Sequence, residues 1–383
     1  MNTIKEINLI DVRKNSQIIN TLNKVYRLWG YEKVSPSIIN NVEILKGREI
    51  IKQNELVSLV SNKSLCLRPE MTTSIVKLIS TRFINKKRPV RLWNNGTIFE
   101  KIEDAKNSQI LNERLQSGVE LIGYNSNFPE IEVISILFDA INKLKIKDNC
   151  NLIFLVSSTT IMELILKKYI DNNYEQIKEC MINLDQDDLN NLDIDIEDKK
   201  NLKDLLYTRG APSKVLNKLT DIYGNSKVLD DLRYLFNIIT PIASKHKIQI
   251  QLDPTFQPHL NIYEGMVFQL ICVDKNEKSI IAKGGRYDEL VRYFNPSEKF
   301  PTGLGFSISI DNLRKYIKEE DTLNKKILLV FRDKKLLTKA IKTQSKLHDS
   351  GIVSILEINP VEEIVNVENM MNENGCTEIM WVT

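Results

Sequence analysis

A chain of 383 residues, 42% hydrophobic and 27% charged, is long enough for more than one domain and can bury a large core. Its 53 basic residues against 50 acidic ones leave a net charge of only +3, which argues against a protein that lives by gripping phosphate backbones. The opening Met1-Asn2-Thr3-Ile4-Lys5-Glu6 carries no apolar signal core, and no window approaches the ~20 apolar residues of a membrane span, so a cytoplasmic protein off the membrane is expected. The five cysteines (Cys66, Cys150, Cys180, Cys272, Cys376) form no CxxC pair, and the three histidines are His246, His259 and His348. That spacing excludes a usual zinc site and leaves reduced, mostly buried thiols as the expectation; no metal or cofactor is called for.

Residues 15–29 place Ile18, Ile19, Leu22, Val25, Tyr26 and Leu28-Trp29 on one helical face, and Gly30 ends the helix. A short strand is predicted at 31–36 and a mixed, strand-rich stretch at 48–60. A helix is predicted after Pro69, at 71–83. Residues 89–93 and 97–99 read as two strands joined at Asn94-Asn95-Gly96. A helix at 129–143 follows. Residues 157–247 read as a helical insertion, with a polar loop in the Asp- and Asn-rich 183–204. Strand runs return at 248–252, 266–273 and 279–282, then a helix at 288–294, a strand from Gly303 and a helix at 311–318. From Lys325 strands (327–331, 352–356, 378–382) alternate with helices (335–349, 361–374), which implies a separate, small parallel sheet.

The chemistry lies in four segments taken together. They are Leu67-Arg68-Pro69-Glu70-Met71-Thr72, Arg91-Leu92-Trp93-Asn94-Asn95-Gly96-Thr97-Ile98-Phe99, Gln116-Ser117-Gly118-Val119-Glu120-Leu121-Ile122-Gly123 and Gly284-Gly285-Arg286-Tyr287-Asp288. A fifth, 303–313, stands where a terminal strand–helix motif belongs. Their order and spacing over residues 5–318 resemble the class II aminoacyl-tRNA synthetase catalytic domain, and in detail histidyl-tRNA synthetase. The resemblance implies an α+β fold: a class II synthetase-like antiparallel sheet flanked by helices over 1–318, with a helical insertion at about 157–247. It further implies that the short α/β domain at 325–383 is a truncated counterpart of the anticodon-binding domain.

A histidine pocket needs carboxylates for the α-ammonium and polar partners for the imidazole. By position the resemblance assigns these roles to Glu70, Thr72, Gln116, Glu120, Tyr263 and Tyr287. ATP activation needs arginines on the triphosphate. The three positions where the family carries them hold Glu100, Pro258 and Asn312 here, so no catalytic residue is assigned. A unit charge pair at 4 Å is worth about 4 kcal/mol at an effective dielectric of 20. Each 1.36 kcal/mol is tenfold in rate, so the three losses together abolish adenylation. Lys101, Arg114 and Arg314 are the nearby cations, and Arg314 points to another helix face than Asn312.

Amino-acid groups kept and phosphate groups lost resemble the regulatory-subunit family of ATP phosphoribosyltransferase, a paralogue of the synthetase in histidine biosynthesis. That resemblance implies a short-form ATP phosphoribosyltransferase catalytic subunit as partner, histidine as effector, and a homodimer through the helix–strand at 15–36. Binding of tRNA is not expected. The competing readings are an active, divergent histidyl-tRNA synthetase and a synthetase-like regulatory protein that binds another small molecule.

Overall fold

The computed structural model describes residues 7–46, 55–61, 63–103, 109–125, 128–169, 173–257, 262–275, 277–318, 325–361 and 364–383. Helix α1 (Leu9–Leu28) starts earlier than its apolar stripe because the Asn8 side chain accepts the Asp11 N–H at 2.8 Å. Ile18, Leu22, Val25 and Tyr26 are its buried face, and Gly30 at φ +78° follows its end. Strand β1 (Glu32–Lys33) is brief. A small ribbon pairs β2 (Ile39–Asn41) with β3 (Leu65–Leu67), and α2 (Val42–Lys46) follows β2. Of the strand-rich stretch expected at 48–60, residues 48–54 lie outside the described residues; the rest contributes only an isolated bridge, Ser58 to Cys66.

After α3 (Thr72–Arg82) comes a long hairpin, β4 (Val90–Glu103) and β5 (Gln109–Ile122), paired without interruption. The two strands expected around Asn94-Asn95-Gly96 are therefore one. A turn there would forfeit the pairing of these residues with Gly118, Ser117 and Gln116, and a full ladder outweighs the local turn signal. Helix α4 (Glu130–Lys143) leads to β6 (Asn151–Ser158), a strand absent from the sequence reading. Then follow α5 (Thr159–Leu166), α6 (Tyr174–Asn183), α7 (Gln186–Asn191), α8 (Ile196–Leu206), α9 (Pro212–Tyr223) and α10 (Lys227–Lys245). The polar loop expected at 183–204 is two of these helices. The Asp185 carboxylate caps α7 at Asp188, and Leu189, Leu202, Leu205 and Leu206 are buried, so the acidic residues are helix-end and surface groups around an apolar stripe.

The chain returns as β7 (Ile248–Leu252), β8 (Met266–Val273), β9 (Lys278–Arg286), α11 (Asp288–Phe294), β10 (Gly303–Ser309) and α12 (Ile310–Arg314). The sheet order is β1-β4-β5-β10-β9-β8-β6-β7. Its interior is antiparallel, as expected, but β1 joins β4 and β7 joins β6 in parallel. Each parallel partner is reached through a helical crossover, α3 for one and α5 to α10 for the other, which a hairpin cannot supply.

Two compact units result, Met1–Lys318 and Glu319–Thr383. In the second, β11 (Lys326–Phe331), α13 (Leu337–Asp349), β12 (Val353–Leu356), α14 (Ile364–Glu373) and β13 (Glu378–Val382) form a parallel sheet in the order β12-β11-β13. Ile327, Leu329 and Phe331 of β11 pack to one side, and Leu328 and Val330 to the other, so its continuous apolar run is covered on both faces.

In the first unit, alternation along β5 divides the sheet's work. Val119 and Leu121 join the core that includes α1 and α4, while Arg114, Gln116, Gly118 and Glu120 face a cavity. At Gly118 a Cβ would fall 2.4 Å from the Phe306 carbonyl oxygen of β10, so only glycine lets the two strands approach. Gly118→Ala is expected to lower unfolding free energy by about 1–3 kcal/mol, the usual cost of overpacking, read from the urea midpoint; an unchanged midpoint would contradict this reading of the β5–β10 contact.

Candidate functional site

The cavity measures about 600 Å³ and is walled by the even-numbered face of β5, by Asn94, Ile98 and Glu100 of β4, by Pro69–Thr72 before and at α3, and by Tyr263, Phe268 and Lys283. Its closed end is acidic. Glu120 is 5% exposed. Its Oε1 accepts the Thr72 hydroxyl at 2.8 Å, and its Oε2 accepts the hydroxyl of Tyr287. On β10, Gly305 lies directly opposite Glu120, and a Cβ there would sit 1.9 Å from Glu120 Oε2. Glycine at 305 is thus the condition for a carboxylate at 120.

Glu70 is also buried, and both its oxygens accept the Thr73 N–H, at 3.0 and 3.1 Å. It caps the first turn of α3. Burial pushes the Glu120 carboxyl up to about 8; the hydroxyls of Tyr287 and Thr72 oppose this, and the charge of Glu70 adds to it. Burial raises Glu70 as well, against the hydrogen bonds from Thr73 and Thr72. Tyr263 lines the cavity, and burial raises its phenol, helped by the nearby charges of Glu120 and Glu70.

Five of the six residues assigned to an amino-acid pocket therefore line one cavity: Glu70, Thr72, Gln116, Glu120 and Tyr263. Tyr287, also assigned to the pocket, lies behind that wall. It is 1% exposed and acts on the cavity through its bond to Glu120. Of the positions where arginines were looked for, Glu100 lines the cavity and pairs with Arg114 at 3.2 Å. Asn312 donates its Nδ2 to the Ile280 carbonyl at 2.8 Å, tying α12 to β9. Pro258 lies outside the described residues.

Two other motif residues hold the frame. Buried Arg68 donates to the carbonyls of Thr97 and Pro36 at 2.8 and 3.0 Å. Arg286 pairs with Asp288 at 2.7 Å and Glu130 at 3.2 Å. Arg314 is held by Asp311, Asp11 and Asn15 and is not among the residues lining the cavity. Lys283, a cavity residue, escaped the sequence reading; its one signal was its place directly before Gly284-Gly285 on a strand that crosses the site.

The native Glu120 carboxyl keeps its proton up to about pH 8, whereas the unfolded chain releases it near the ordinary 4.5. Between these values the native state binds more protons, so this group's contribution to stability falls as pH rises through that window and is fully lost above it. Glu120→Gln cannot ionise and is expected to show a shallower fall in urea midpoint between pH 5 and pH 8.5 than the unsubstituted chain. Parallel profiles would refute the raised carboxyl.

Residues 3–313 match the family model described as histidyl-tRNA synthetase. The ATP phosphoribosyltransferase regulatory subunit of Prochlorococcus marinus subsp. pastoris is 58% identical over 382 residues, spanning 100% of both chains. The protein of the same name from a Synechococcus species is 34% identical over 382 residues, 99% of this chain and 97% of that one. The crystal structure of an ATP phosphoribosyltransferase regulatory subunit/histidyl-tRNA synthetase from Bacillus halodurans matches with a TM-score of 0.81 at 19% identity, over 99% of this chain and 96% of that one. Histidyl-tRNA synthetase from Nostoc matches with a TM-score of 0.77 at 15% identity, over 98% and 89%. At such identities the two structures speak to the fold alone, which they share with this chain. The full-length relatives speak to the family: this chain belongs to the ATP phosphoribosyltransferase regulatory subunits, built on the histidyl-tRNA synthetase fold.

Proposed function

We propose that this chain is the non-catalytic regulatory subunit that activates a short-form ATP phosphoribosyltransferase catalytic subunit and conveys histidine feedback to the first step of histidine biosynthesis. One observation carries the reading: the cavity keeps its buried acidic end at Glu70 and Glu120, while Glu100, a carboxylate, stands where adenylation calls for an arginine. The acidic end suits an α-ammonium, and Gln116 and Tyr263 add polar partners for an imidazole. An ammonium arriving beside Glu120 favours the ionised carboxylate, so binding is coupled to proton release at neutral pH. Feedback further requires that histidine prefer one state of the assembly over another, since equal affinity shifts nothing.

The partner and the self-association belong to the same proposal. Leu9, Ile10, Val12 and Leu28 of α1 are exposed apolar residues, which supports pairing of two copies through this helix. The unit at 325–383 is read as a counterpart of the anticodon-binding domain released from tRNA duty. Among the described residues no helix is long and apolar enough to cross a membrane, in keeping with work in the cytoplasm.

Mixed with a short-form catalytic subunit, the purified chain is expected to co-elute with it and raise its turnover; co-elution without stimulation would sink the regulatory role. Alone, it is expected to give no histidine-dependent ATP–pyrophosphate exchange, and robust exchange would restore the synthetase reading. In calorimetric titration of the complex with histidine, Glu120→Gln is expected to weaken binding at least about tenfold, equivalent to 1.36 kcal/mol. An unaltered affinity would move the histidine site elsewhere.

A further inference from the structure

The cavity has a second end, of opposite charge. Arg114 and Glu120 stand six positions apart on β5, about 20 Å of strand at ~3.3 Å per residue, too far for one free amino acid to touch both. The same wall also carries Lys283 from β9, level through Ser307 with Gly118 and so between the two ends, and Lys101 from β4, with the carboxylates of Glu100 and Glu55. Arg114 and Glu100 are paired with each other, at 3.2 Å. Among the described residues the ammonium of Lys283 has no hydrogen-bond or ion-pair partner. Its ammonium is held below the ordinary lysine value, by desolvation first and by the like charge of Arg114 next, with Glu100 opposing. Two cations thus line one cavity, and the carboxylate of Glu100 is paired to one of them.

We propose that Arg114 and Lys283 form an anion subsite that takes the single phosphate group of a small phosphorylated metabolite, with Glu100 holding the Arg114 guanidinium in place while the subsite is empty. The chemistry follows from the groups. A guanidinium offers two parallel N–H donors to a phosphate, and an ammonium adds a compact point charge. The Arg114–Glu100 pair is partly solvated, and such pairs are weak, so a phosphate displaces the carboxylate at little cost. A dianionic monoester matches two cations, where a carboxylate ligand leaves one unmet. A triphosphate brings more negative charge than two cations neutralise and sets it against Glu100. The apolar surface of Ile280 and Phe268 in the same cavity leaves room for the rest of the metabolite. The subsite uses none of the positions where the synthetase carries its arginines, and it stands apart from the histidine reading of the Glu120 end.

Phosphorus NMR and calorimetry on the full chain test it, with inorganic phosphate, glycerol 3-phosphate and acetate as probes. Saturable binding of glycerol 3-phosphate is expected, at least as tight as inorganic phosphate and not displaced by equal acetate. Lys283→Ala is expected to weaken it about tenfold or more, Lys283→Arg to restore it, and Glu100→Gln to tighten it several-fold by removing the internal competitor. Histidine titrated into the same variants is expected to bind unchanged, which separates a failure here from a failure of the proposed function. Absence of saturation, indifference to Lys283→Ala, or weaker binding in Glu100→Gln overturns the subsite. Stronger binding of inorganic phosphate than of the ester, or equal displacement by acetate, overturns the assignment to a phosphorylated metabolite.

Discussion

The site rests on a carboxylate buried in a sheet. A charged group removed from water costs several kcal/mol unless hydrogen bonds replace its hydration. Glu120 meets that demand with hydroxyls from two separate elements, Thr72 at the start of α3 and Tyr287 at the start of α11, and it fits only because Gly305 on the adjoining strand has no Cβ. These groups are distant in the chain and come together only when β5, β9 and β10 are in register. The acidic end is therefore a property of the assembled sheet. Its raised carboxyl reflects an incomplete replacement of hydration, so a cationic ligand that binds there displaces a proton at neutral pH.

The opposite end obeys the reverse logic. Glu100 and Arg114 meet on a diagonal across the β4–β5 hairpin, two strands that pair along their whole length. In such a ladder the residues of one face are fixed in space, so a single change of sign at one position is felt by every neighbour on that face. A carboxylate at 100 engages the guanidinium at 114 and holds it in an internal ion pair. Asn312 is taken up in fastening α12 to the Ile280 carbonyl, and Arg314 in fastening α12 to α1. Polar groups that a synthetase fold could direct at a nucleotide are here spent on holding the frame.

Much of the frame was legible from periodicity. The helices α1, α3, α4 and α11, and the alternating strands and helices of the second unit, stand close to where apolar spacing put them, because each buries one face against a single layer and its pattern is local. The failures have a common physical cause. Asn94-Asn95-Gly96 carries a strong turn signal, yet it runs straight, because a glycine at 96 answers a nonlocal need: a Cβ there would meet Arg68 Nη2 at 2.2 Å. The Asp- and Asn-rich stretch looked like a loop, although its leucines are spaced for burial and its acids sit at helix ends and surfaces.

Residue identity alone placed the carboxylates at 70, 100 and 120, which are facts of composition at named positions. The family's order of motifs likewise told which segments belong together. Tertiary structure alone decided which side chains face the cavity and which stand behind it: Tyr287 supports Glu120 from within the wall, and Lys283 joins Arg114 from a strand some 170 positions away in the chain. The reason is geometric. Facing is set by strand register and by which neighbouring Cβ atoms are missing, and both are fixed by pairing between distant segments that no local pattern records.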